Sequence, residues 1–77
     1  METSPQELQA HLMATNDQFR RLATEHADHS RRLDELTARP YLTEHEHLEE
    51  VRLKKLKLRL KDQMQEILRQ SAAGQVA

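Results

Sequence analysis

Along the first half of the chain, positions Leu8, Leu12, Thr15, Phe19, Leu22, His26, His29, Leu33 and Leu36 recur in alternating steps of four and three. That alternation is a heptad seam, the signature of one helix face pressed against another helix. Its next member would be Pro40, whose ring cannot continue a helix and which biases Arg39 toward extended backbone. At the other end, Ser4-Pro5-Gln6-Glu7 offers a capping serine, proline at the first helical position and a glutamate three residues on. The pattern predicts a helix from about residue 4 to 38, with Met1 to Thr3 frayed before it.

The second half carries a different pattern. Leu56-Lys57-Leu58-Arg59-Leu60-Lys61 alternates as a half-buried strand would. Its residues are helix formers rather than β-branched or aromatic, and Glu44 to Gln70 contains no Gly or Pro, so a helix is predicted over about 44–70. Thr43-Glu44-His45-Glu46 supplies its capping box, and Glu44, Glu46, Glu49 and Glu50 sit where the helix dipole favours them. At about 100° per residue, Leu42, Leu53, Leu56, Leu60, Met64 and Ile67 gather on one side. Leu48, Val51 and Leu58 fall on the opposite side, so this helix has two apolar faces. Residues 71–77 have small side chains and a glycine, and are expected to form a flexible tail.

A connection of only residues 39–43 favours antiparallel neighbours. The expected fold is therefore all-α: a single domain over residues 1–77, an antiparallel two-helix hairpin like a coiled coil. The predicted seam comprises Leu12, Phe19, Leu22, His26, His29, Leu33, Leu36, Leu53, Leu56, Leu60, Met64 and Ile67. If the fold-back pairs positions summing to roughly 82, Arg32 lies near Glu50, Asp28 near Lys54, Glu25 near Lys57 and Arg20 near Asp62, each pair opposite in sign. A single rod in a parallel coiled coil is the alternative, and Pro40 argues against it.

Composition narrows the functional classes. In 77 residues a core seldom supplies more than a few kcal/mol, so self-association into a four-helix assembly is expected. With 32% charged residues, 3% aromatics, one Gly and two Pro, the composition is that of long amphipathic helices. A net charge of -1 gives no global drive toward nucleic acid or anionic lipid. Without Cys there are no disulfides or thiolate metal sites, and no apolar run approaches the ~20 residues that span a bilayer. A cytoplasmic setting without membrane insertion is expected.

His29-Ser30-Arg31-Arg32-Leu33-Asp34, followed by Leu53-Lys54-Lys55-Leu56-Lys57-Leu58-Arg59-Leu60-Lys61-Asp62, resembles the YdcH-like family of small bacterial proteins. The likeness runs from about Asp17 to Leu68. Leu56 stands where the family pattern would place a charged residue. The resemblance implies a helical hairpin in a bacterial cytoplasm, with no assigned biochemical function and no catalytic or ligand residues to transfer.

Candidate chemistry is sparse. His26 and His29, three apart on one face, could place two imidazoles on a metal with Glu49 as third donor. The simpler reading is a polar layer in the seam that fixes register, loosened by protonation below about pH 6. His45, His47 and His11 are assigned no role. Arg52, Lys54, Lys55, Lys57, Arg59 and Lys61 could contact phosphates or another anionic partner, yet they spread around the helix and no aromatic stands near to stack on a base. A hairpin without a cleft, a glycine-rich loop or an oriented nucleophile is expected to be no enzyme, with no cofactor, no metal and no small-molecule substrate. The expectation is a self-associating interaction or scaffolding module, pairing with itself through Leu48, Val51 and Leu58 and with an unidentified protein partner. A weak nucleic-acid or nucleoid-associated factor using residues 52–61 is the alternative.

Overall fold

The computed structural model describes residues 4–75, and these form three α-helices: α1 (Pro5–Thr15), α2 (Asp17–Thr37) and α3 (Glu44–Gln75). The predicted frayed start, Met1 to Thr3, and the last two residues of the predicted tail lie outside the described residues.

The first predicted helix is two helices, not one. Asn16 takes an extended conformation (φ -115°, ψ 107°) that no helix interior accommodates. Its backbone N–H still donates to the Leu12 carbonyl (2.8 Å), closing α1, while its Oδ1 accepts from the Phe19 N–H (2.9 Å), opening α2. Asn is among the strongest capping residues because its short side chain reaches a free amide two or three residues ahead. Arg20 completes the junction by donating from Nε to the Met13 carbonyl (2.9 Å) and from Nη2 to that of Ala14 (3.3 Å). Carbonyls freed by the break are thereby satisfied. Thr15, counted in the heptad, is exposed and donates instead to the His11 carbonyl.

α2 ends just before Pro40: Ala38 N–H bonds to the Asp34 carbonyl and Arg39 N–H to that of Leu36. Thr43 then starts α3 with a reciprocal box, accepting from Glu46 N–H at its Oγ1 (3.1 Å) while its own N–H donates to Glu46 Oε1 (2.9 Å). The second predicted boundary also needs correction. α3 does not stop near residue 70 but continues to Gln75, taking in most of the predicted tail. Ala72 and Ala73 are the best helix formers, and a glycine inside a helix costs only about 1 kcal/mol, which does not stop one unless the chain turns there. Gly74 has no positive φ and makes no such turn.

Two apolar clusters hold the helices together. Leu8 and Leu12 of α1 and Phe19 of α2 are buried against Met64, Ile67 and Leu68, late in α3. Leu33 and Leu36, at the end of α2, are buried with Leu53, early in α3, and half-buried Leu42 of the connection packs against them. Phe19 and Leu36 are each fully buried, at 0% exposure. Leu60 is also buried, and the stretch between the clusters carries Leu22, His26, His29, Leu56 and Lys57, all half-buried. The Cα trace extends 52 × 19 × 16 Å, a rod about as long as α3 itself.

The charge register differs from the expected one. Arg32 bonds to Glu49, not Glu50, and it is the only one of the four anticipated cross-helix partners to reach α3 among the described residues. Asp28 pairs with Arg31 of its own helix, Lys54 with Glu50, and Arg20 with Asp17. Glu25 and Lys57, and Arg20 and Asp62, form no ion pair. Pairs within a helix win because residues three or four apart are already neighbours, whereas long side chains crossing between helices lose more rotamer freedom for a similar Coulomb gain.

Candidate functional site

Packing one side of α3 against α1 and α2 leaves its other side bare. Leu48 (64% exposed), Val51 (50%) and Leu58 (62%) stand on that outer side. They are spaced three and seven apart, so a helix of 3.6 residues per turn stacks them along one stripe. Glu44 and Lys55 fall on the same stripe and are exposed. Tyr41, in the connection before α3, is 88% exposed and, preceding the helix, falls outside its periodicity. A stripe of branched aliphatic side chains in water is unfavourable unless something covers it.

Of the predicted seam, Leu12, Phe19, Leu33, Leu36, Leu53 and Leu60 are buried, while Leu22, His26, His29, Leu56, Met64 and Ile67 are half-buried. His26 lines an open groove of about 610 Å³ with Gln9, Lys57, Leu58, Lys61, Met64, Gln65 and Leu68. Burial first, then the charges of Lys57, Lys61 and His29, push its pKa below the ordinary 6.5. Two lysines beside the ring make it a poor place for a cation. Among the described residues no three His, Asp or Glu side chains are gathered as a metal site. Glu49, the supposed third donor, is bound to Arg32 through Nε to Oε2 (2.8 Å) and Nη2 to Oε1 (3.0 Å). Arg32 also donates from Nη1 to Glu35 Oε2 (3.1 Å). His11, His45 and His47 are exposed.

In the basic segment Arg52, Lys54, Lys55, Arg59 and Lys61 are exposed and Lys57 half-buried. Lys54 is engaged by Glu50 at 3.5 Å, and Lys57 and Lys61 turn toward the His26 groove. The segment therefore divides around the helix and offers no single cationic stripe. No helix of the described residues is long and apolar enough to cross a membrane.

A family model described as "Protein of unknown function (DUF465)" matches residues 19–68. The chain belongs to this family. The DUF465 match begins at Phe19, three residues past the Asn16 break, and ends at Leu68, so it takes in nearly all of α2, the connection and the first 25 residues of α3. The outer stripe lies wholly inside it, and α1 wholly outside. Neither the curated proteins nor the solved structures include a match to the chain.

Proposed function

We propose that this DUF465 protein is a small YdcH-like helical hairpin, its helices antiparallel, that acts by association in a bacterial cytoplasm rather than by catalysis. Two copies meet through α3; the four-helix assembly expected of two hairpins becomes one of six helices, because the first predicted helix is divided into α1 and α2, and it serves as an interaction or scaffolding module for a further protein. The exposure of Leu48 and Val51, with Leu58 at the edge of the stripe where it borders the His26 groove, carries this reading. Full burial of one such side chain is favourable by about 1.5–3 kcal/mol, and these have half or more of that still to gain. Six of them, three from each copy, offer roughly 5–9 kcal/mol, comparable to the ~4–15 kcal/mol that association costs. The assembly is accordingly weak and concentration-dependent.

Light scattering across a concentration series tests it. The unaltered chain should shift toward dimer mass as concentration rises, and Leu58→Glu should hold it at monomer mass with unchanged helicity. A monomer at every concentration would end the proposal. The alternative, nucleic-acid binding through residues 52–61, has the exposed Arg52, Lys55 and Arg59 in its favour. It predicts a shift of labelled DNA or RNA that collapses as salt rises.

A further inference from the structure

Resting on the self-association just proposed, we infer that the occupant of the outer stripe is a second copy in one particular arrangement. The two α3 helices run antiparallel about a two-fold axis that passes between Leu48 and Val51. Glu44, Leu48, Val51, Lys55 and Leu58 follow one another in steps of four, three, four and three, a second heptad seam on the helix, and all five are exposed. In an antiparallel pair each such position faces the opposite heptad position of its partner. With the axis placed there, Leu48 meets the second copy's Val51, Glu44 meets its Lys55, and Leu58 extends toward the connection that carries its Tyr41. Each contact occurs twice.

The charges select this arrangement over the others the same leucines would permit. A parallel pair sets Lys55 on Lys55 and Glu44 on Glu44. An antiparallel pair slipped by one heptad sets Val51 on Lys55 and Glu44 on Asp62. Only the first arrangement matches apolar with apolar and acid with base throughout, and mismatched charges exclude wrong pairings more effectively than matched ones reward the right pairing. Glu44 and Lys55 are also free to do this. Among the described residues neither takes part in an ion pair within the chain, although Glu46, Glu49, Glu50 and Lys54 around them all do. Because the seam on α1 and α2 lies on the opposite side of α3, the assembly is a flat layer with the two α3 helices in the middle and each chain's α1 and α2 on the outside, not a square bundle.

The chain has no cysteine, so two single-cysteine variants report the arrangement directly. Full-length Leu48→Cys would be mixed with a mass-tagged Val51→Cys chain in a glutathione redox buffer, and the cross-linked species weighed. The expected product is the mixed 48-to-51 disulfide, in several-fold excess over either homotypic one. In parallel, Glu44→Lys and Lys55→Glu should each weaken dimerisation by about tenfold, since two pairs per dimer change from attraction to repulsion. The double variant should return to the unaltered dissociation constant. Circular dichroism at low concentration checks that each variant folds. A dimer with homotypic cross-links, or a double variant no tighter than the single ones, overturns this arrangement and leaves self-association standing. A chain that is monomeric throughout removes both.

Discussion

Arg32 of α2 and Glu49 of α3 are joined by two parallel hydrogen bonds, Nε to Oε2 and Nη2 to Oε1, at 2.8 and 3.0 Å. This fork is the one ion pair of α2 that crosses to α3 among the described residues, and a guanidinium held at both nitrogens fixes orientation as well as distance. The hydrogen bonds from Arg32, and then its charge, hold the Glu49 carboxyl below its ordinary pKa of 4.5. The same contact raises that of Arg32. A depressed carboxylate contributes stability that is fully present above 4.5 and is lost as pH falls through the folded value. Glu49→Gln should therefore be less stable than the unaltered chain at neutral pH, and the gap should close on acidification below 4.5. Urea unfolding at several pH values measures it; a gap that is constant with pH would mean the fork contributes nothing through its charge.

His26 also weakens the fold on acidification, but in a higher pH window and for the opposite reason: it is the charged form that the fold disfavours. A base whose pKa is lowered on folding is penalised once it must accept a proton, so the fold loses stability as pH falls through 6.5 and levels off below the folded value. Lys57 and Lys61 from α3 and His29 from α2 face the ring and add to the penalty. His26→Gln should flatten the stability profile between pH 7.5 and 5.5. The His26 ring resonances, followed by NMR, should titrate with a midpoint below 6.5.

Phe19 is fully buried where all three helices meet. Phe19→Ala should cost about 3–5 kcal/mol, a large part of the ~5–15 kcal/mol that small domains possess. Leu22→Ala, at a half-buried position, should cost less. Chemical denaturation followed by circular dichroism ranks the two, and the reverse order would contradict the packing at this junction.

Asn16→Ala should destabilise by about 0.5–2 kcal/mol, because the Phe19 N–H loses its acceptor, while Asn16→Asp should keep most of the stability. Hydrogen exchange at the Phe19 amide should accelerate in the alanine variant. If alanine there instead raised helicity and stability, the interruption would be a cost borne by the chain rather than a cap in use.

The heptad from Leu8 to Leu36 made the apolar surface of the first half readable, since helical period follows from residue geometry alone. It hid the break. Asn16 is not a seam position, and an interruption of one residue leaves Leu12 and Phe19 on the same side, so the periodicity runs through undisturbed. The signal was present in Asn16-Asp17, a capping residue followed by an acid. It competed with a seam that needed no break. At the other end, a glycine among small residues reads as a tail, yet Ala72 and Ala73 carry the helix through it to Gln75. The charge register was legible only in outline. Arg32 does find an acid across the gap, but one position from the expected partner, and the remaining charges settle with neighbours three or four residues away. The outer stripe of Leu48, Val51 and Leu58 was visible because three aliphatics in line on a polar background have no local explanation. The groove beside His26 was not, since it takes Gln9, His26 and Lys57 from three separate helices.

The Asn16 junction makes α1 a separately capped cover over one end of the molecule. Each of the two hydrogen-bond ladders is sealed at its own end there, so what α1 adds to the rest is the lid of Leu8 and Leu12 and the Arg20 bonds to its last carbonyls. What its removal lays bare is the aromatic ring of Phe19 with Met64 and Ile67, a greasy notch at the far end of the rod from Pro40.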